Sequence, residues 1–574
     1  MSLAAILAIG AGGAVIAAWG MARGGREARY AAMLGCLALL TVLVLALITK
    51  ATPISTEGLV PTDGWFRGTV VKTDYERLTI ALWALDSVVV VCIAWLLGGA
   101  AALRGLLPAT LVAIAGGVVS LGATDLSIGI GVAGVTGLVS LLLIHGPDRP
   151  SAVAVAAREL RMVVGGAVLL LAAVAVAPVA AALVLATTTI GGIDNGPSAA
   201  VANGAIGAGE AGSVLGLVAL AVSAGVAARF GAIPFHFRIP RLTDSVPPIA
   251  IPLLLAWLPL PVGVVGLAVL DGLVGPLALS LGVEQAFIVG IAVVTMAAGA
   301  LAAYLADDMR HAVGYLIVAD VGLVLLGFAA LDPSAWGPTR VMLVSIAGSK
   351  TALAAFGAVA ESRFMTRRIS DLGGWVRHAP ILAAGFVLTA LATYGLPGWI
   401  VLSARASLAG LVAGGQWTIA FTLAGLLTFP VYLRIFFIGL GPESGHVRAG
   451  APERVSQRRR TGVAVVAVEP VVAAVAPPPR VEARMSDEDH DDHRLADALA
   501  PARRVAAVAA DDARRGVATM VRSLLAALRR DSTELISASV LALAMLAALT
   551  AWGALDLGTA ANEPAPIVSG PATD

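Results

Sequence analysis

Charge is what this sequence has least of. Asp, Glu, Lys and Arg together make 13% of its 574 residues, roughly half the share of an ordinary soluble domain. Lysine is almost missing: Lys50, Lys72 and Lys350 are the only three, so arginine carries nearly all the positive charge. Cysteine occurs twice, at Cys36 and Cys92, both inside apolar runs. That excludes a disulfide framework and argues against a cysteine-held metal cluster. The formal net charge is +1, so no basic field points to nucleic acid. The sequence has no phosphate-binding Gly loop beside a strand, no CxxC pair and no haem or iron–sulfur spacing. No cofactor and no metal is therefore expected on this chain, and any redox group belongs to another one. A cleavable signal peptide is not expected either. The first run, Ser2–Met21, lacks a basic start and ends in basic residues rather than a small-residue cleavage site.

Hydrophobic residues make 58% of the chain, and the mean hydropathy is +0.90. So much apolar surface exceeds what a water-soluble core of this size buries, and lipid must serve as solvent for the rest. Apolar runs recur at 2–22, 30–50, 78–99, 104–122, 125–145, 160–187, 212–230, 247–270, 284–305, 311–331, 339–360, 380–412, 416–440 and 533–557. Each approaches or exceeds the roughly 20 residues that cross about 30 Å of hydrocarbon. Barrel strands would instead alternate over about 10 residues. The fold expected is an all-α polytopic membrane protein with about fourteen transmembrane helices.

Loop charges orient those helices. Arg23, Arg26 and Arg29 follow the first run, Arg104 the third, and Arg149, Arg158 and Arg161 the fifth. Arg238 and Arg241 follow the seventh, Arg310 with His311 the ninth, and Arg363, Arg367, Arg368 and Arg377 the eleventh. The alternate loops are poor in basic residues, and the long one from Thr187 to Gly212 has none; only the loop after the second run (Lys50, Phe66–Arg77) is mixed. This alternation predicts basic loops in the cytoplasm and both termini outside.

The stretch after the thirteenth run differs. Residues 441–494 start basic, pass through the Pro-terminated Val463–Pro479 and reach an acidic patch, SDEDHDDHR, at Ser486–Arg494. Solvated linker is the bland and favoured reading of that patch, since it implies no fixed ligand geometry. Residues 495–532 then show helical periodicity, with Leu495, Leu499, Val505, Val508, Val517, Met520, Leu524 and Leu528 near one face and arginines elsewhere. That pattern predicts an amphipathic helix at the cytoplasmic surface or along neighbouring helices. A last span, 533–557, and a disordered tail, 558–574, complete the chain.

An ionisable side chain inside a membrane helix is costly and is by default a functional candidate. Lys350 lies deep in VMLVSIAGSKTALAAFGAVAE, too deep to snorkel, and needs a partner or a water-filled cavity. Lysine also suits proton transfer. Arg405 lies in the twelfth run, which Gly395-Leu396-Pro397-Gly398 interrupts; Arg229 ends the seventh; Asp320 sits in the tenth; Asp86 sits in the third. The arginines stay protonated and fit charge stabilisation, Asp320 fits a proton relay, and Asp86 suits a pairing with one of the bases. For all four, a packing ion pair is an equally good reading. Asp125 and Asp271 fall at run ends and read as interfacial. Pro247, Pro248, Pro252, Pro259 and Pro261 crowd the eighth run, and broken helices of this kind are tolerated where they line a polar cavity.

Two stretches carry a resemblance. One is ARFGAIPFHFRIPRLTDSVPP, Ala228–Pro248; the other runs from Asp308 to Arg405 and contains DMRHAVGYLIVADVGLVLLG, Lys350, TRRISDLGGWVRHAP and GLPG. Together they resemble the antiporter-like membrane subunits of respiratory complex I, a superfamily that includes Mrp-type cation/proton antiporters and membrane-bound hydrogenases. The fourteen-helix N-type subunit is nearest in length and span count. The resemblance implies two inverted five-helix repeats, each with a broken helix, here at 123–275 and 276–440 after N-terminal helices at 1–122. It implies a row of buried charges at the membrane midplane, no redox centre, and proton movement driven by quinone chemistry in partner subunits. It also implies a bacterial-type inner membrane location. Lys350 matches the family's central lysine, Arg405 the lysine or glutamate of the second broken helix, and Arg229 a basic residue preceding the PFH motif.

Departures from that pattern are concentrated in the first half. Gly134 stands at the family's glutamate of the fifth span, Pro261 at the lysine of the first broken helix, and Asp320 at a histidine common in the tenth span. Three readings follow: a proton-translocating membrane-arm subunit with a degenerate first half-channel, a non-conducting structural subunit of such an arm, and a subunit of a cation/proton antiporter or hydrogenase.

Overall fold

The computed structural model describes residues 3–48, 74–123, 126–145, 150–190, 208–270, 281–413, 422, 425–450 and 532–562. The predicted amphipathic helix at 495–532, the acidic patch at 486–494 and most of the tail lie outside these residues. All regular structure among the described residues is helical: α1 (Leu3–Arg23), α2 (Gly25–Ile48), α3 (Asp74–Leu103), α4 (Leu106–Gly122), α5 (Leu126–His145), α6 (Pro150–Ile190) and α7 (Ala208–Phe230). Then come α8 (Ile239–Ser245), α9 (Leu260–Val269), α10 (Gly282–Leu305), α11 (Met309–Ala330), α12 (Trp336–Phe364), α13 (Pro380–Tyr394), α14 (Ile400–Ala413), α15 (Phe429–Leu440), α16 (Gly445–Gly450), α17 (Ser532–Trp552) and α18 (Leu557–Ala561). Eleven of the described helices or joined helical segments are long and apolar enough to cross a membrane, and α4, α13, α14 and α15 are shorter apolar helices. Lipid leaves the backbone no partner but itself, so continuous apolar sequence becomes helix.

The breaks have local causes. The run 380–412 is two helices, broken at the expected GLPG stretch, because Gly395 (φ +73°) and Gly398 (φ +90°) flank Pro397 in conformations that end α13 and restart the chain as α14. In the eighth run, Leu253–Trp257 forms a π-helical turn, and α9 then starts with Pro261 in its first turn, where a missing N–H costs nothing. Asp308 caps α11 by accepting from the Arg310 N–H at 2.8 Å. The same corner holds the DLGG loop, through Met309 N–H to Arg367 O at 2.9 Å and Ile369 N–H to Asp307 O at 2.7 Å.

The broken segment Pro248–Val269, α11 and α12 form the interior of the bundle. Outer helices turn side chains such as Val15, Leu37, Leu47, Val168 and Leu301 outward, as lipid contact requires. Where helices approach closely, small residues allow it. A Cβ at Gly299 of α10 would lie 2.7 Å from the Ala319 backbone nitrogen of α11, and one at Gly322 of α11 would lie 2.6 Å from the Ala292 carbonyl oxygen of α10.

The end of the chain differs from the sequence expectation. Residues 557–561 form α18 instead of joining a disordered tail, because Leu557, Ala560 and Ala561 are buried and Arg340 Nη1 donates to Ala561 O at 3.0 Å. The first residues of the 441–494 stretch are also folded: Ser444 N–H donates to Gly373 O at 3.0 Å.

Gly299→Val should drive α10 from α11, at a cost of about 1–3 kcal/mol for overpacking. A lower melting midpoint of the purified protein in detergent is the expected result; an unchanged midpoint would show that the crossing yields easily.

Candidate functional site: a buried charge chain in the second half

Lys350 of α12 has no exposed surface at all. Asp320 of α11 supplies its counter-ion, with Oδ2 2.7 Å from Nζ but off the line of a hydrogen bond. The hydrogen bond of Nζ goes instead to Tyr432 Oη of α15, at 3.0 Å. Tyr432 Oη lies 3.3 Å from Thr393 Oγ1 in the last turn of α13, and Thr393 donates to Thr389 O at 2.9 Å. On the other side of the GLPG break, Arg405 of α14 donates through Nη2 to Thr393 O at 2.5 Å and through Nη1 to Gly425 O at 3.2 Å. The chain Asp320–Lys350–Tyr432–Thr393–Arg405 is therefore continuous across five helices and one helix break, and every member is buried.

Apolar and aromatic packing insulates it. Phe386 lies 5.7 Å from Tyr432, centroid to centroid, and Phe356 and Trp375 pack behind Phe386. Tyr394 meets Tyr432 edge-on at 5.5 Å, stands 5.5 Å from the Arg405 guanidinium and bonds Thr428 through its hydroxyl at 2.8 Å. In such surroundings an unpaired charge is costly, so the partners are obligatory.

The structure thus brings together Lys350, Asp320 and Arg405 and leaves Arg229 and Asp86 apart from them. Asp86 does not pair with a base. It is buried against Gly348, on the side of α12 away from Lys350, and makes no ion pair with any described residue. Positions 348 and 350 are about 200° apart around a helix, so one neighbour cannot reach both faces. Arg229 closes α7 in a cage of small residues. A Cβ at Gly137 would sit 2.6 Å from its Nη2, and Nε and Nη2 have no hydrogen-bond partner. Gly134, where the family resemblance places a glutamate, faces Ala167 of α6.

Three features were not legible beforehand. Tyr432 sits in YLRIFF, which reads as ordinary apolar span. Glu159 and Arg238 form a buried ion pair at 2.5 Å, although both lie in segments that read as loop. Arg340 is fully enclosed, 3.7 Å over the Tyr75 ring and 3.6 Å from Glu76. A helix beginning at Pro150 rather than near 160 would have placed Glu159 inside α6 and flagged it.

Residues 128–428, more than half of the chain, match the transmembrane family model of NADH:quinone oxidoreductase and Mrp antiporters. The chain belongs to this family. Solved structures with the family fold include a chain of the Mrp complex from Dietzia sp. DQ12-45-1b, 18% identical, with a TM-score of 0.56 over 79% of this chain and 49% of that one. This chain therefore spans about half the length of that Mrp chain. A chain of the archaeal membrane-bound sulfane sulfur reductase is 16% identical, with a TM-score of 0.56 over 79% of this chain and 91% of its own. A chain of respiratory complex I from Thermus thermophilus with bound NADH is 18% identical, with a TM-score of 0.56 over 78% and 92%. No curated protein matches in sequence.

Asp320→Asn removes the counter-ion and strands Lys350, a loss of roughly 3–5 kcal/mol for a buried pair broken from one side. The single variant should melt well below the wild-type protein, and Asp320→Asn/Lys350→Met should regain most of the difference. Additive losses in that cycle would show the two side chains to be uncoupled.

Proposed function

We propose that this protein is an ion-translocating membrane subunit of a complex I-like assembly, in which the second repeat moves protons and the first does not. The observation that carries the reading is the fully buried Lys350–Asp320 pair with its onward hydrogen bonds to the GLPG break. A titratable lysine beside a carboxylate can exchange a proton, and a broken helix supplies backbone groups at membrane depth. Arg405 holds a fixed positive charge beyond the break, and Asp86 offers a second, separate carboxylate. In the first repeat, Arg229 packs against Gly137, and Glu159 is already paired with Arg238, which supports a reading in which that half moves no protons. Electron transfer and quinone chemistry belong to partner subunits, and this chain contributes no redox centre. The basic loops lie in the cytoplasm, both termini lie outside, and the membrane is a bacterial-type inner membrane.

A second reading, a non-conducting structural subunit, is favoured by the sealed cage around Arg229. A third, cation/proton antiport, is favoured by the likeness to the Mrp chain.

Lys350→Met separates them. Met copies the lysine stem, and Asp320 can answer the lost charge by taking up a proton. The test is dye-reported proton-gradient formation in inverted vesicles carrying the native assembly. The vesicles are energised by respiratory substrate in one arm and given Na⁺ or K⁺ against a preset gradient in the other. The variant should assemble and lose transport in the substrate-driven arm. Unchanged transport in both arms would leave the structural reading standing, and a loss confined to the cation arm would favour antiport.

A further inference from the structure

The hydrogen bonds around Lys350 all point one way, and the chemistry of the donors decides which. A protonated lysine has three donors and no acceptor, so Tyr432 Oη accepts from Nζ at 3.0 Å. The single Tyr432 proton is then free for Thr393 Oγ1 at 3.3 Å, and the Thr393 proton is committed to Thr389 O at 2.9 Å. The chain of donors therefore runs from Lys350 to the last turn of α13. That turn ends at Gly395, and the carbonyl of the same Thr393 receives Arg405 from beyond the break.

This direction depends on the charge of Lys350. Asp320 Oδ2 is 2.7 Å from Nζ, close enough for a proton to cross once rotation of the ammonium brings one N–H into line. In that step one Nζ–H bond breaks, an Oδ2–H bond forms, and both charges vanish together. Nζ then carries a lone pair, and the Tyr432 hydroxyl can turn to donate to it. Thr393 Oγ1 loses its donor when that happens.

We propose that Tyr432 is a positioning residue that reports the protonation state of the Lys350–Asp320 pair to the α13–α14 break. Its hydroxyl has two orientations, one for each state of the pair, and the second frees the residue whose carbonyl anchors Arg405. Proton exchange at Lys350 is thereby coupled to the hold of Arg405 on the end of α13. The inference rests on the proposed translocating role of Lys350 and adds a gate to it.

Tyr432→Phe keeps the ring packed against Phe386 and Tyr394 and removes only the hydroxyl. Thr393→Val removes the accepting hydroxyl and keeps the carbonyl that Arg405 holds; Thr393→Ser keeps both. In the vesicle assay, Tyr432→Phe and Thr393→Val should each slow transport about tenfold, the effect on a rate of losing one well-made hydrogen bond. Each should also shift the pH at which transport is half-maximal, while the double variant is no slower than either single and Thr393→Ser stays near wild type. If Tyr432→Phe fails to accumulate in the membrane, the Thr393 pair carries the test alone. Wild-type rate and pH dependence in these variants, with Lys350→Met inactive, overturns the gate and leaves the translocating role intact. Losses that add in the double variant without any change in pH dependence overturn it too. Normal transport in Lys350→Met overturns the translocating role itself.

Discussion

A lysine with no exposed surface, surrounded by apolar helices, forces its neighbours into place. The cost of burying an ammonium ion is met only by a carboxylate in contact and a hydrogen-bond acceptor beside it. Asp320 from α11 and Tyr432 from α15 fill those roles. Because they come from different helices, the charge fixes the mutual register of α11, α12 and α15. The close α10–α11 crossing at Gly299 and Gly322 then sets how α11 is presented. Much of the second half can be understood as the packing needed to keep this one pair satisfied.

The two halves arrange their buried charge differently. In the second, positive and negative groups meet, and hydroxyls extend the contact to a break in the helix. In the first, Arg229 packs against Gly137 and Gly166, and the nearby Arg238 is paired with Glu159. An arginine never yields its proton under ordinary conditions, and a glycine offers nothing to titrate. The connected ion pair, hydroxyls and helix break thus lie together in the second half, and Arg229 lies apart from them.

How much of this was legible in the sequence depended on dimension. Lys350, Asp320 and Arg405 stood out because a charge inside an apolar run is visible along a line. Their connection was not, because it depends on which faces of separate helices meet. Asp86 shows the limit well: it satisfied every one-dimensional criterion and yet faces the wrong side of α12. Tyr432 was invisible for the converse reason, since a tyrosine among phenylalanines in a membrane span signals nothing until its hydroxyl finds a partner. The GLPG break was legible from Gly and Pro in sequence, and the two positive φ values show how it divides the run into α13 and α14.

Arg340 ties together parts of the chain made at very different times. It sits at the start of the lysine-bearing helix, lies over Tyr75, faces Glu76 from α3, and donates to the carbonyl of Ala561. Three distant segments thus meet at one guanidinium, and the last contact becomes available only after residues 557–561 have been made. A chain cut short before that point would leave the foot of α12 without one of its ligands. The arrangement therefore makes the anchoring of the lysine helix wait for a segment synthesised 221 residues later.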